Sequence, residues 1–180
     1  MIEGIRQSGC SEIPSLTGWK LPVGHIHALG LNEHLLFHGA TQTAVEEICK
    51  GGFDPRRGGE GVGAAFGIGT YFAKNISKAD IYTEPFTARL ARTAPRKVIL
   101  TRVLLGESFC TRQWVAQAHR PPNDDAGRPF DSVWAAVRAD GGVFDHVEAM
   151  VYDRGQALPI AVITDAHVRD CGCAECARRP

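Results

Sequence analysis

Three kinds of polar side chain stand beside apolar runs of this sequence, where a plain hydrophobic core would not place them. His38 ends the run LLF, and Gly39 behind it leaves a bare backbone that a ligand or a second chain segment can approach closely. Tyr71 follows a glycine-rich segment and Tyr82 comes shortly afterwards, so two rings flank a loop and can enclose a planar group. The alternative is that the histidine and both tyrosines are core residues whose polar atoms are satisfied.

Glu148 is the third kind, a carboxylate within the strand-like run HVEAMVYD. Because side chains alternate along a strand, Glu148 shares one face with Met150 and Tyr152, and the apolar residues between them form the other face. A carboxylate with such neighbours lies either on a solvated face or in a cleft where its charge is used. The residue alone leaves both readings open.

The end of the chain carries a separate group of candidate metal ligands. Nitrogen or sulfur atoms are offered within ten residues by His167, Cys171, Cys173 and Cys176. A structural zinc ion takes four such ligands, but the Cys-x-Cys spacing is tighter than that of most zinc-binding pairs. We therefore predict a thiol-rich tail, with zinc binding as the alternative.

The elements that must position these side chains follow from the periodicity of the chain. Residues 33–38 predict a strand that ends at the histidine. Thr43 and Glu46 match a capping box that opens a helix, and the pair Gly51-Gly52 closes it.

Beyond that helix, the glycine-rich residues 54–69 predict an irregular, mobile loop. Further predicted elements are a strand over 70–73, a helix from Asn75 or Ser77 through residue 91, and strands over 97–106, 132–137, 146–153 and 159–164, the last two joined by a turn at Arg154-Gly155. Strands outnumber helices and the two do not alternate regularly, which favours the α+β class.

Composition limits the range of functions. The 180 residues, 44% hydrophobic and 22% charged, predict one soluble domain with a sizeable core. The formal net charge of zero gives no support for nucleic-acid or membrane binding. No apolar run approaches the roughly 18 residues that span a bilayer, and the N-terminus does not read as a secretory signal. Without an export signal, the six cysteines indicate a reducing compartment, cytoplasmic or nuclear.

Three stretches, taken in order, resemble the catalytic domain of poly(ADP-ribose) polymerases: HLLFHGATQTAVEEICKGGFD, FGIGTYFAKNISKADIY and VEAMVYDRGQALPIAVIT. The resemblance divides the chain into a lead-in segment at 1–30, a catalytic domain at 31–165 and a cysteine-rich tail at 166–180. It implies the ADP-ribosyltransferase fold, with two packed, mostly antiparallel sheets, flanking helices and an NAD cleft.

The resemblance also implies roles for single residues. His38 corresponds to the histidine that bonds a ribose hydroxyl on the adenosine side of NAD. Gly39 corresponds to the backbone clamp on the nicotinamide amide. Tyr71 corresponds to the tyrosine that stacks on the nicotinamide ring, and Tyr82 to the residue that closes its other face. Glu148 corresponds to the catalytic glutamate, so the implied catalytic set is His38, Tyr71 and Glu148.

The motif between the two tyrosines agrees with the family except at one position. Ser77 and Lys78 match residues of the family's binding motif and are expected to take part in NAD binding. Ala79 stands where a serine often bonds the nicotinamide amide, which removes one donor contact, about 1 kcal/mol of binding.

The implied function is that of an NAD+-dependent ADP-ribosyltransferase, which breaks the nicotinamide–ribose bond and transfers ADP-ribose to proteins, itself included, with extension to polymer. A carboxylate near the ribose suits this chemistry because positive charge develops there. Only about 30 residues precede the first motif, so we expect a catalytic unit without a regulatory subdomain. Two alternatives stay open: transfer to nucleic-acid ends, and a non-catalytic module that binds NAD or ADP-ribose.

Overall fold

The computed structural model describes residues 32–58, 65–83, 94–114 and 120–167. Several predictions lie outside these ranges and are not addressed by the structure. They are the lead-in at 1–30, the glycine-rich residues 59–64, the end of the second predicted helix at 84–91, and the tail cysteines Cys171, Cys173 and Cys176.

The described residues form seven strands, two α-helices and three short 3-10 turns. The strands are β1 Glu33–Gly39, β2 Thr70–Ala73, β3 Arg96–Leu104, β4 Ser108–Thr111, β5 Ser132–Ala135, β6 Glu148–Val151 and β7 Ala157–Asp165. The helices are α1 Gln42–Gly51 and α2 Ile76–Asp80, and the 3-10 turns are Pro55–Arg57, Arg138–Asp140 and Arg154–Gln156.

All seven strands belong to one sheet with the order β4-β5-β6-β2-β1-β3-β7. Strand β4 runs parallel to β5, whereas the other neighbouring strands pair antiparallel. A mixed sheet with few helices confirms the α+β class. The second packed sheet stays a prediction.

Consecutive apolar residues of β1 and β3 point to opposite faces of the sheet, because side chains alternate along a strand. Both faces of these central strands are therefore covered. On one face, Leu36 and Ile99 pack with Val45 of α1. On the other, Phe37 and Val98 pack in a cluster that includes residues of α2. The two helices therefore lie on opposite faces of the sheet.

Helix α1 begins two residues earlier than predicted from the capping box. Its N-cap is Thr41, whose side chain accepts a hydrogen bond from the backbone N–H of Ala44, 3.4 Å away. The capping box of Thr43 and Glu46 is therefore wrong, because an extended threonine already stands at the helix entrance. The predicted end is confirmed. Gly52 has a φ of +78°, and its N–H bonds the carbonyl of Ile48.

The second helix is shorter than predicted. It ends at Asp80, and residues 81–83 form a turn in which the Thr83 hydroxyl bonds the Asp80 carbonyl at 2.7 Å. Asn75 is its N-cap, without a side-chain capping bond. The predicted continuation of the helix through 81–83 is wrong, because the Thr83 hydroxyl donates to the backbone oxygen of Asp80 and holds the chain in a turn.

Smaller differences concern loops and short strands. The loop predicted at 54–69 contains a 3-10 turn, Pro55–Arg57, which the Asp54 side chain caps. Strand β4 was not predicted, because its four residues are too short to show a period. No helix in the part of the chain that the structure describes is long and apolar enough to cross a bilayer.

Candidate active site

A cleft of about 660 Å3 is lined by residues of β1, α1, β2, α2 and the start of β6. This volume suits a small-molecule ligand. Six residues that the sequence singled out line this one cleft: His38, Gly39, Tyr71, Lys78, Tyr82 and Glu148. Ser77, the remaining predicted binding residue, is half-buried on α2 and is not part of the lining.

The imidazole of His38 is held in one orientation by the neighbouring strand. Its Nδ1 lies 2.8 Å from the backbone oxygen of Tyr71, and since a carbonyl only accepts, Nδ1 must donate. The rings of Phe53 and Phe72 lie 5.1 and 5.7 Å from it between centroids. Burial lowers the pKa of His38, so the ring stays neutral near pH 7. A neutral ring that donates at Nδ1 leaves Nε2 as an acceptor for a hydroxyl.

The lowered pKa of His38 gives a pH prediction. The unfolded chain binds a proton below the ordinary pKa of 6.5, whereas the folded chain resists it, so stability falls as pH drops below that value. We expect the melting temperature of the wild type to fall more than that of His38→Asn between about pH 7.5 and pH 5.5. Parallel pH dependence of the two proteins would contradict a lowered His38 pKa.

Tyr71 lines the cleft and hydrogen-bonds the segment that precedes β2. Its hydroxyl donates to the backbone oxygen of Gly67 at 2.7 Å and accepts from the N–H of Phe66 at 2.9 Å. The rings of Tyr71 and Phe66 are nearly parallel, with 5.9 Å between centroids. Burial, with a contribution from the charge of Glu148, raises the pKa of Tyr71 to about 12. The hydroxyl is therefore protonated at neutral pH and serves as an anchor, not as a base.

Glu148 lies in the cleft and not on a solvated face. Its Oε1 is 3.2 Å from Nζ of Lys78, and the two side chains are 15% and 17% exposed. Lys78 Nζ also lies 5.2 Å from the centre of the Tyr82 ring. Burial opposes the charged form of Lys78, but the Glu148 carboxylate and the Tyr82 hydroxyl together outweigh it, and the lysine pKa is raised. The cleft thus holds an ion pair beside an aromatic ring.

The position of Glu148 follows from strand pairing. In the sheet, Glu148 stands opposite Ala73 of β2 and Ala135 of β5. Met150 and Tyr152 pack in one cluster on the same face of the strand, which confirms the predicted alternation. The carboxylate therefore projects from the end of a rigid central strand.

Gly39 marks a backbone contact between β1 and α2. A Cβ atom added at Gly39 would lie 1.7 Å from the carbonyl oxygen of Ala79. No side chain other than hydrogen fits there, which explains the glycine after the histidine. Ala79 is buried and lines the cleft, so the donor that a serine would supply is missing at this wall.

Helix α2 is anchored by a buried polar cluster that the sequence analysis did not single out. Asp80 Oδ2 lies 3.1 Å from Nη1 of Arg96 and 2.7 Å from Nε2 of His167. All three side chains are largely buried. Because α2 has only five residues, it depends on such tertiary contacts. Nothing in the sequence links these residues, because Arg96 and His167 are 16 and 87 positions away from Asp80.

His167 was also a candidate zinc ligand. Its side chain is 3% exposed and bonds Asp80, while the three tail cysteines lie outside the described residues. Among residues 32–58, 65–83, 94–114 and 120–167, no group of three His, Cys, Asp or Glu is arranged to hold a metal. The thiol-rich tail stays the prediction, with zinc binding as its alternative.

Other charged residues of the cleft also escaped the sequence analysis. The C-terminal end of α1 and the residues after it contribute Glu47, Asp54 and Arg57, and the turn after β6 contributes Arg154. Glu47 forms an ion pair with Arg57. Arg154 donates from Nη2 to the backbone oxygen of Gly51 at 2.6 Å. Nothing in the sequence links these two segments, because 103 residues separate them.

The family of the poly(ADP-ribose) polymerase catalytic domain matches residues 24–157, well over half of the 180 residues. The protein mono-ADP-ribosyltransferase PARP12 of Homo sapiens is 34% identical over 135 residues, which are 74% of this chain and 17% of that protein. The protein mono-ADP-ribosyltransferase PARP11 of Mus musculus is 51% identical over 47 residues, which are 26% of this chain and 14% of that protein. The matches thus cover 17% or less of these relatives' length.

Proposed function

This chain belongs to the poly(ADP-ribose) polymerase catalytic domain family, and from that premise we propose that it transfers ADP-ribose from NAD+ to proteins. One observation carries the proposal. A single cleft is lined by the imidazole of His38, the bare backbone of Gly39, two tyrosine rings and the carboxylate of Glu148. These groups are the ones needed to hold a nicotinamide riboside and to cleave it.

The donor is oriented by the walls of the cleft. The nicotinamide ring lies between the rings of Tyr71 and Tyr82, where stacking favours a planar group. Its amide bonds the backbone of Gly39, without the extra donor that a serine would add at position 79. Nε2 of His38, an acceptor in the neutral ring, takes a hydrogen bond from a ribose hydroxyl. These contacts hold the scissile bond in one geometry before reaction.

Cleavage of the nicotinamide–ribose bond is helped by the charge of Glu148. As nicotinamide leaves with the bonding electrons, positive charge develops on the ribose, and a carboxylate close by stabilises it. The acceptor oxygen then bonds the ribose carbon, and its proton passes to the carboxylate. Lys78, paired with this carboxylate at 3.2 Å, keeps it in place between turnovers.

The product proposed first is a single ADP-ribose unit on the acceptor. The two relatives are both named as mono-ADP-ribosyltransferases, and PARP12 covers most of this chain. Extension to a short polymer is the second candidate, because a carboxylate at position 148 can also activate a ribose hydroxyl of an earlier unit. Proteins, the chain itself included, are the proposed acceptors.

Labelled NAD+ tests the proposal directly. We expect the chain to release nicotinamide and to gain label that protease removes and nuclease does not. One added unit gives a single sharp band on a gel, and polymer gives a ladder. Label that nuclease removes would point to nucleic-acid acceptors, and NAD+ that is bound but not consumed would identify a binding module.

A further inference from the structure

The charged side chains that line the cleft are mostly paired. Glu47 pairs with Arg57, and Glu148 pairs with Lys78. Asp54 is held by Arg56, which bonds it through Nε at 2.9 Å and Nη2 at 2.7 Å. Each carboxylate of the cleft therefore has its own cation, and these pairs leave little net charge for a ligand.

Arg154 differs from these cations. Among the described residues Arg154 forms no ion pair within 4 Å, and its hydrogen bond goes to the Gly51 backbone oxygen at 2.6 Å. The pKa of Asp54 is lowered chiefly by the Arg56 side chain, and the charge of Arg154 contributes only a smaller part. A guanidinium has five N–H groups, so most of them stay available to a ligand. Arg154 is exposed and lines the rim of the cleft, next to the last turn of α1.

The turn that carries Arg154 is rigid. Asp153 and Gln156 form a capping box across the 3-10 turn. The amide nitrogen of Gln156 also bonds the backbone oxygens of Leu104 at 3.2 Å and Asp131 at 3.0 Å. The backbone of the turn is fixed by these bonds, and the guanidinium is held by its bond to Gly51, so both are ordered before a ligand binds.

We propose that Arg154 binds the diphosphate of the dinucleotide donor. The proposal rests on the proposed function, since it assumes that the cleft takes NAD+. The diphosphate carries two negative charges, and a planar guanidinium bonds phosphate oxygens in a bidentate manner. The other cations of the cleft are already engaged by carboxylates, so Arg154 supplies the charge that complements this part of the donor.

The competing role for Arg154 is structural. A cation at the C-terminus of a helix stabilises its last carbonyls, and Gly51 supplies one of these. If the role of Arg154 is only structural, its replacement should weaken the binding of every ligand of the cleft alike. If Arg154 binds the diphosphate, its replacement should weaken only the binding of ligands that carry the diphosphate.

The test compares three probes: NAD+, ADP-ribose and nicotinamide. We expect Arg154→Met, which keeps side-chain bulk and removes the charge, to weaken binding of NAD+ and ADP-ribose about tenfold, the range for a charge-assisted hydrogen bond at an exposed rim. Nicotinamide should bind unchanged, and Arg154→Lys should restore part of the loss. Arg128→Met is the control, because Arg128 pairs with Asp124 and does not line the cleft.

Each outcome decides a separate point. Unchanged ADP-ribose affinity in Arg154→Met, or equal weakening for nicotinamide, overturns the diphosphate anchor. A wild-type chain that binds ADP-ribose through Arg154 but never consumes NAD+ keeps the anchor and refutes the proposed transfer. A wild-type chain that binds none of the three probes refutes both.

Discussion

Replacing Glu148 by glutamine should lower the turnover of the proposed ADP-ribosyl transfer roughly 10²–10³-fold, which corresponds to about 3–4 kcal/mol of transition-state stabilisation. Glutamine keeps the shape of the side chain but removes its charge. The charge matters most when the ribose becomes positive, because the ground-state ribose is neutral. NAD+ affinity should therefore change much less than turnover.

The substitution also has a structural consequence that must be measured beside the rate. Lys78 lies 3.2 Å from Glu148 and is largely buried, so it loses its ionic partner in Glu148→Gln. The amide oxygen of glutamine can still accept from the ammonium, which limits the loss of stability. Melting temperatures of both proteins show whether a slow variant is folded.

Kinetics with matched controls complete this test. Turnover and the NAD+ dissociation constant should be measured for the wild type, Glu148→Gln and Glu46→Gln. Glu46 is an exposed carboxylate on α1 that bonds Gln42 and does not line the cleft, so its variant should match the wild type. A Glu148→Gln protein with normal turnover would refute the proposed catalytic role.

Much of the sheet could be predicted from the sequence because its strands carry their own signals. The β-branched and apolar run of β3 is buried on both faces, whereas that of β7 alternates between half-buried and exposed residues, and each strand is nine residues long. Alternation also placed Met150 and Tyr152 of the β6 region on the side of Glu148, but it did not predict that both faces of this strand are buried. Local pattern is therefore sufficient to place a strand and to divide its side chains between two faces, since these alternate along the chain.

The arrangement of the cleft could not be derived from local pattern. His38, Tyr71 and Glu148 were grouped through a family resemblance, since they lie on three different strands. The contact of Lys78 with Glu148 and that of Asp80 with His167 join residues far apart in the chain. Such pairs depend on how the strands are ordered in the sheet, which periodicity does not specify.

The shortness of α2 has a similar origin. The residues after Asp80 fit a helical pattern, but the hydroxyl of Thr83 bonds the Asp80 carbonyl and turns the chain. Asp80 itself is held by Arg96 from β3. Tertiary contacts therefore decide where this helix ends, and local propensity does not.

The second large effect is expected for Gly39→Ala. An added Cβ would lie 1.7 Å from the carbonyl oxygen of Ala79, which is less than half of an ordinary contact distance. The neighbour is backbone, so it cannot rotate away, and the end of β1 must separate from α2. We expect the free energy of unfolding to fall by about 1–3 kcal/mol, as for other overpacked sites.

The same movement should damage ligand binding beyond what stability explains. Gly39 and Ala79 both line the cleft, and α2 carries Lys78 and precedes Tyr82. If the two walls separate, the proposed nicotinamide clamp opens, and nicotinamide should bind at least tenfold more weakly, a loss of about 1.4 kcal/mol or more. Binding should be measured at a temperature where urea unfolding shows the variant to be folded.

Gly51→Ala is the matched control for the predicted loss of stability. Position 51 is the last residue of α1, and an added Cβ there meets no atom within 4 Å. The change should raise stability by about 0.5–1 kcal/mol, because alanine is favoured over glycine in a helix. Since Gly51 also lines the cleft, this variant is the control for stability and not for binding. The two variants add the same methyl group, so the difference between them isolates the contact with Ala79. A Gly39→Ala protein as stable and as active in binding as the wild type would show that β1 and α2 do not approach as closely as described, and the proposed clamp would lose its basis.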